Sequence, residues 1–155
     1  MCSLINLESD VYMMQLDILL VDDSPEVAEL SRIALDARKF GDRMRWFGDA
    51  ETAAEYLFSQ QDFAHCKDLH PRLVLLDLHL PLMSGHELLA LIKTNPATAH
   101  IPVVMFSSSD DQSDIVHSYQ LGANGYLLKA SDPREFIDTV ADAASYWLRR
   151  NQAVR

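Results

Sequence analysis

The stretch Leu16–Val27, LDILLVDDSPEV, contains the pattern that decides the fold. An unbroken apolar run ends at two adjacent aspartates, and Ser24 and Pro25 follow directly. Serine is favoured at the N-cap of a helix and proline at its first position, so a helix is predicted to begin there. A continuous apolar run is typical of a parallel strand that is covered on both faces. The stretch therefore predicts a buried strand that leads directly into a helix.

The same unit, a short apolar run followed by a helix-like stretch, occurs five times along the chain. Met44–Gly48 alternates in polarity, which indicates an edge strand, whereas Leu73–Leu78 is continuous. Five such units predict an α/β fold with a doubly wound parallel sheet. Residues 16–150 are expected to form this domain, with an extension over 1–15 and a short tail over 151–155. The segment Ser59–Pro71 is predicted to be a longer loop.

The composition bounds the class of function. The chain has 155 residues, is 48% hydrophobic and carries a net charge of −10. This charge argues against surfaces for nucleic acids or anionic membranes, which need clustered basic residues. The first fifteen residues lack a signal-peptide pattern, and no apolar stretch approaches the ~20 residues that span a bilayer. With two cysteines interpreted as ordinary thiols, Cys2 and Cys66, a cytoplasmic protein is expected.

Polar side chains follow four of the five predicted strands, at the edge of the sheet where ligands bind in folds of this kind. Three of them are carboxylates, and Mg²⁺ suits them because it accepts one or two carboxylates and keeps several waters. Each residue alone is typical of a helix cap or a solvated loop, but their order along the chain indicates a site. They are Asp22 and Asp23 after the first strand, Asp77 at the end of the third, Ser107 at the end of the fourth and Lys129 after the fifth.

This set of residues indicates phosphoryl transfer. An aspartate carboxylate can attack phosphorus and form an acyl phosphate, and Asp77 is the best candidate because it ends the central buried strand. Asp22 and Asp23 suit metal binding. Lys129 can stabilise charge on the transferring group, and Ser107 can donate a hydrogen bond to it.

Four segments resemble the receiver domain of two-component response regulators: ILLVDDSPEV, LVLLDLHLPLMSGHELL, IPVVMFSSS and GANGYLLKASD. The resemblance extends over about Leu16 to Leu148 and implies a flavodoxin-like sheet of five parallel strands in the order 2-1-3-4-5. It also implies a role for each of four residues: Asp77 as phosphoacceptor, Lys129 as phosphoryl contact, Ser107 as switch hydroxyl and Tyr126 as switch aromatic.

For the metal, the resemblance implies that Asp23 and Asp77 bind Mg²⁺ directly, together with the backbone carbonyl of His79. Asp22 would hold the ion through water. For the ring of His79 two interpretations stay open. Like Ser109, it occupies a position that in the family shapes the access of water to the acyl phosphate. Alternatively, it is a solvated loop histidine.

The chain departs from the family pattern after Lys129. The family's lysine is usually followed by a proline in a cis peptide, whereas Ala130 follows here. A cis bond before a residue other than proline costs about 3 kcal/mol, so a trans peptide is expected. Trp46 and Trp147 are interpreted as packing residues.

These observations predict a stand-alone receiver that accepts a phosphoryl group on Asp77 from a histidine kinase or a phosphotransfer protein. A narrower resemblance, in HPRLVLLDLHLP and SDIVHSYQLGANGY, is to single-domain regulators that partner phytochrome-type histidine kinases. No residues for an output module are expected after about Leu148. The signal is therefore predicted to pass by protein contact and not by turnover of a substrate.

Two other classes of protein are alternatives to a phosphorylated receiver. A metal-dependent phosphohydrolase of the haloacid dehalogenase type places a second aspartate two residues after its nucleophile, and that position here is His79. An unphosphorylated scaffold receiver would not need the intact set of acidic pair, Asp77 and Lys129. The predicted output surface is the face formed by the fourth helix, the fifth strand and the last helix, and it could bind a kinase, a target or a second copy of the chain. Its residues, all expected to be exposed, are Asp114, His117, Ser118, Tyr126 and Arg134.

Overall fold

The protein is described by a computed structural model that covers residues 16–58 and 70–154. The strands are β1 (Ile18–Val21), β2 (Met44–Phe47), β3 (Leu73–Leu76), β4 (Val103–Ser107) and β5 (Gly125–Leu128). These five parallel strands form one sheet in the order β2-β1-β3-β4-β5, as predicted. Strand β3 is central, β1 lies between β3 and β2, and β2 is an edge strand with partly exposed side chains.

Helices follow the strands, and their first residues are capped as the sequence indicates. The Ser24 hydroxyl accepts from the Val27 amide at 3.3 Å, and Ser84 and Glu87 form a complete capping box. Asp132 caps the last helix by accepting from the Glu135 amide. The helices are α1 (Pro25–Asp36), α2 (Ala50–Phe58), α3 (Gly85–Thr94), α4 (Gln112–Gln120) and α5 (Pro133–Ser145), and a π-helical turn (Tyr146–Arg150) continues α5.

Two apolar cores lie on opposite faces of the sheet. Leu57 of α2 and Leu89 of α3 belong to one core, and Leu35 of α1 and Phe136 of α5 belong to the other. All residues of β1, β3 and β4 are buried, because helices cover these strands on both faces. The doubly wound architecture predicted from the sequence is therefore confirmed.

Some predictions fall on other parts of the chain. The extension over 1–15, both cysteines and most of the loop predicted over Ser59–Pro71 lie outside the described residues. Among the helices that the structure describes, none is both long and apolar enough to cross a membrane.

Candidate functional site

The register of the central strands brings the acidic residues to one edge of the sheet. Val21 pairs with Leu76, so Asp22 and Asp77 leave the sheet side by side, and the Asp77 amide donates to the Val21 carbonyl at 2.9 Å. Asp22, Asp23 and Asp77 each offer a carboxylate oxygen within 4.8 Å of the others. Asp22 and Asp77 are buried, whereas Asp23 is exposed. The structure thus places together the three carboxylates that the sequence assigned to a metal.

Lys129 enters this acidic cluster from the end of β5. Its ammonium lies 2.5 Å from Asp22 Oδ2 and 3.3 Å from Asp77 Oδ1. Its backbone amide donates to the Ser107 carbonyl at 2.8 Å, which extends the β4–β5 pairing by one bond. The ammonium also lies 5.7 Å from the centre of the Phe106 ring. Lys129 therefore bridges the two buried carboxylates.

The charges at this edge do not balance. Burial raises the pKa of Asp77 above its ordinary value, the neighbouring Asp22 raises it further, and Lys129 opposes both effects. Three carboxylates facing one ammonium leave a formal charge of −2. An oxygen-binding divalent cation would cancel that charge, and carboxylate oxygens are the ligands that Mg²⁺ prefers. The residues present therefore fit such an ion.

Asp22 is fixed by three further contacts. Its backbone amide donates to the Phe47 carbonyl at 3.1 Å, and its Oδ1 accepts from the Ser24 amide at 2.9 Å. The indole N–H of Trp46 donates to the Asp22 carbonyl at 2.7 Å. Trp46 is thus more than the packing residue that the sequence suggested. No local pattern signals this contact, because it joins the ends of two different strands.

The loop between β4 and α4 links the site to the rest of the molecule through Ser109. The buried Ser107 hydroxyl accepts from the Ser109 amide at 3.1 Å, and the Ser109 hydroxyl donates to Asp114 Oδ2 at 2.6 Å. The Ser109 carbonyl accepts from the Tyr126 hydroxyl at 2.8 Å. One residue therefore contacts Ser107, helix α4 and the aromatic residue of β5.

A second set of contacts joins α4 to α3. The Ser118 hydroxyl donates to the Asp114 carbonyl at 2.8 Å and lies 2.8 Å from His86 Nε2. Since its single proton is directed to Asp114, Ser118 accepts from His86, which requires a proton on Nε2. The His86 and His117 rings meet edge to face with centroids 4.5 Å apart. Burial lowers the pKa of His86, His117 lowers it further, and Asp114 opposes them.

The prediction that Ser118 is exposed is wrong. Ser118 has 0% relative exposure, because its hydroxyl turns inward between Asp114 and His86. His117 and Arg134 are exposed as predicted, whereas Asp114 and Tyr126 are only partly exposed.

Close packing also shapes the loop after β3. A side chain on Gly85 would place its Cβ 2.0 Å from the Asp77 carbonyl oxygen, so only glycine allows α3 to begin against the phosphoacceptor candidate. The ring of His79, two residues after Asp77, is exposed. No cis peptide occurs in the described residues, and the Lys129–Ala130 bond is trans as expected.

The comparisons with known proteins define the class. The family of response regulator receiver domains matches residues 18–141, and the chain belongs to this family. Response regulator Rcp1 from Synechocystis sp. is 34% identical over 131 residues, which cover 84% of this chain and 88% of Rcp1. A protein named "Probable methanogenesis regulatory protein FilR2", from Methanothrix harundinacea, is 35% identical over 136 residues, 88% of this chain and 86% of FilR2.

Two solved structures have the same fold. The phosphorylated cyanobacterial phytochrome response regulator RcpA superposes with a TM-score of 0.80 at 32% identity, over 90% of this chain and 98% of RcpA. The Mn²⁺-bound form of Rcp1 gives a TM-score of 0.77 at 33% identity, over 89% and 98% of the two chains. The chain is therefore a receiver of the two-component response regulator family, similar to Rcp1 and RcpA.

Proposed function

We propose that Asp77 accepts a phosphoryl group from the phosphohistidine of a histidine kinase or phosphotransfer protein, and that the chain then signals by binding other proteins. The observation that carries this proposal is the position of Asp77. Its carboxylate ends the central strand β3, lies 3.3 Å from the Lys129 ammonium and shares its surroundings with Asp22 and Asp23. A nucleophile with a cation on one side and metal ligands on the other suits phosphoryl transfer.

Each residue has a defined task in the reaction. An Asp77 oxygen attacks phosphorus, an O–P bond forms, and the N–P bond to the donor imidazole breaks with its electron pair leaving on nitrogen. The imidazole leaves as a neutral ring that keeps this electron pair, or it takes up a proton on the nitrogen that held the phosphorus. Lys129 stabilises negative charge on one phosphoryl oxygen, and the Ser107 hydroxyl is available to donate to another once it turns toward it.

The proposed metal is Mg²⁺. Asp23, Asp77 and the His79 backbone carbonyl would bind it directly and Asp22 through water; when bound, the ion would neutralise charge on the phosphoryl oxygens. Rcp1, a relative, is described in a Mn²⁺-bound form, which supports a divalent cation at this kind of site. The choice of Mg²⁺ rests on the all-oxygen set of ligands.

The output is a change in protein contacts and not turnover of a substrate. Phosphorylation adds roughly −1.5 to −2 charge beside Ser107. If the Ser107 hydroxyl turns to the phosphoryl group, its bond with the Ser109 amide is lost. Ser109 also holds Asp114 and Tyr126, so the surface of α4, β5 and α5 is rearranged by the same event.

The proposed phosphodonor is a phytochrome-type histidine kinase. RcpA is described as a cyanobacterial phytochrome response regulator, and it matches this chain over nearly all of its own length.

The direct test is incubation with acetyl phosphate and Mg²⁺ followed by intact-mass measurement. The wild type should gain one phosphoryl group that hydroxylamine removes, because an acyl phosphate is labile to this nucleophile. Asp77→Asn should gain none while remaining folded, because asparagine keeps the shape of the side chain and removes one carboxylate from the acidic cluster. Equal phosphorylation of the variant would place the nucleophile elsewhere.

A further inference from the structure

Leu82, in the loop between β3 and α3, combines two unfavourable features. Its side chain is 93% exposed, the highest value among the large apolar residues that the structure describes. Its backbone has a φ of +62°, in the left-handed region that glycine and asparagine tolerate and other residues avoid. Folding alone would favour glycine or asparagine at this position, because both would relieve the strain and expose no apolar surface.

The loop around Leu82 is held in place at several points. The Gly85 amide donates to the Leu78 carbonyl at 3.0 Å, and the Met83 amide donates to Glu51 Oε1 at 2.7 Å. Gly85 itself lies against the Asp77 carbonyl. The backbone of Leu82 is therefore held in place, in the loop that follows the proposed phosphoacceptor. A contact residue whose backbone is fixed in this way loses less conformational freedom when it binds a partner.

The position of the loop indicates which partner covers it. Asp77 is only 6% exposed, and its carboxylate opens at the edge of the sheet where this loop lies. A phosphohistidine that reaches Asp77 must bring the surface of its own protein across that edge. A small phosphodonor such as acetyl phosphate reaches Asp77 without that surface.

We propose that Leu82 is an anchor residue for the protein phosphodonor, which it meets through an apolar patch next to the phosphohistidine. This inference rests on the proposed function, because it requires phosphoryl transfer to Asp77. An exposed residue held in a strained conformation points to a role in binding, and an exposed leucine points to an apolar partner surface.

Val116 offers a control on another helix. It is an apolar residue with 50% exposure, and it lies within the helix α4. Leu91 does not serve this purpose, because it lines the same groove as Leu82. A contact confined to the loop after β3 should involve Leu82 and not Val116.

The experiment compares two phosphodonors for the wild type, Leu82→Asn and Val116→Asn. One donor is acetyl phosphate. The other is the purified, phosphorylated histidine-bearing domain of the kinase that phosphorylates the wild type fastest in a screen of purified phytochrome-type kinases. We expect Leu82→Asn to lower kcat/KM for transfer from the kinase domain about tenfold, mainly through KM, as loss of an interface anchor does. Its reaction with acetyl phosphate and its Tm should not fall, and Val116→Asn should accept the phosphoryl group as fast as the wild type.

Three outcomes would overturn the inference. Equal transfer from the kinase domain to Leu82→Asn and to the wild type would show that Leu82 is not a contact. An equal loss with acetyl phosphate would show that Leu82 shapes the site instead. Loss of a wild-type dimer in sedimentation, with transfer unchanged, would make a second copy the partner. If the wild type gains no phosphoryl group from acetyl phosphate, the proposed function itself fails, which separates the two conclusions.

Discussion

Helices α3 and α4 lie next to each other, yet they are attached to the protein by different forces. Helix α3 buries Leu88, Leu89 and Ile92 in the core between sheet and helices. Helix α4, all of which is described, has Ser118 as its single fully buried residue. Burial of apolar surface stabilises the fold by about 25 cal/mol per Å², and an apolar side chain finds no equivalent contact in water. A hydrogen bond makes a net contribution to stability of only about 1 kcal/mol, because its donor and acceptor can bond to water or to other groups instead.

This difference assigns the two helices different roles. Helix α3 begins against the Asp77 carbonyl and is fixed by its apolar face, so it forms part of the frame of the site. Helix α4 is attached through Ser109 to Asp114 and through Ser118 to His86. Because Ser109 also contacts Ser107, a change at the site reaches α4 by exchange of hydrogen bonds. We expect α4, and not α3, to respond to phosphorylation.

The largest effect on stability should come from α3. Leu89→Ala removes a fully buried side chain and should lower the free energy of unfolding by about 3 kcal/mol, as cavity-forming substitutions do. Urea unfolding measures this value. Val116→Ala on α4 is the control, since Val116 is 50% exposed and its loss should change stability by less than about 0.5 kcal/mol. A similar loss of stability in the two variants would contradict the proposed difference between α3 and α4.

A smaller effect is expected from the polar attachment of α4. Ser118→Ala should lower the free energy of unfolding by about 1 kcal/mol, because His86 loses its acceptor. Amide exchange in α4 should become faster while exchange in α3 stays as it is in the wild type. Slower or unchanged exchange in α4 would show that Ser118 does not hold this helix.

The pH dependence of stability should be smaller still and should also involve α4. The pKa of His86 is lowered in the folded state. Its contribution to stability is therefore fully present above the ordinary histidine pKa of about 6.5, and it is lost as pH falls through that value toward the folded pKa. The titratable groups facing it are His117 and Asp114 of α4 and His79 of the loop after β3. Thermal unfolding from pH 8 to pH 5 should show this decline, and it should weaken in His86→Gln. An unchanged decline in the variant would assign it to other groups.

The smallest signal is spectroscopic and concerns the metal site itself. Trp46 donates to the Asp22 carbonyl, so Mg²⁺ binding should change its fluorescence. The measurement uses Trp147→Phe, which leaves Trp46 as the only tryptophan of the sequence. Ser118→Ala in this background should give the same Mg²⁺ titration, because α4 does not contact the acidic cluster through Ser118. Asp23→Ala should strongly weaken Mg²⁺ binding in the same titration. A titration altered by Ser118→Ala would mean that α4 helps to form the metal site.

Much of this arrangement follows from local patterns in the sequence. Apolar runs, caps such as Ser24 and Asp132, and polar residues after the strands predict the sheet and the edge where the site lies. These features depend on neighbours in the chain, which the sequence shows directly.

The remaining contacts depend on how distant elements meet. Trp46 reaches Asp22 across two strands, and Ser118 turns inward because His86 of another helix supplies its partner. A serine among polar residues of a helix resembles a surface residue by pattern, so its burial could not be predicted. The conformation of Leu82 is likewise set by the closure of its loop and not by its residue type.

The most direct test is amide hydrogen exchange with and without a beryllofluoride adduct, which mimics the phosphoryl group at Asp77. Protection should change from Asp111 to Tyr126, which includes α4 and the Ser109-bound Tyr126. Protection in α3 should stay the same, because its apolar face remains buried. Identical protection of Asp111–Tyr126 in both states, or a change confined to α3, would contradict the claim that the signal leaves the site through α4.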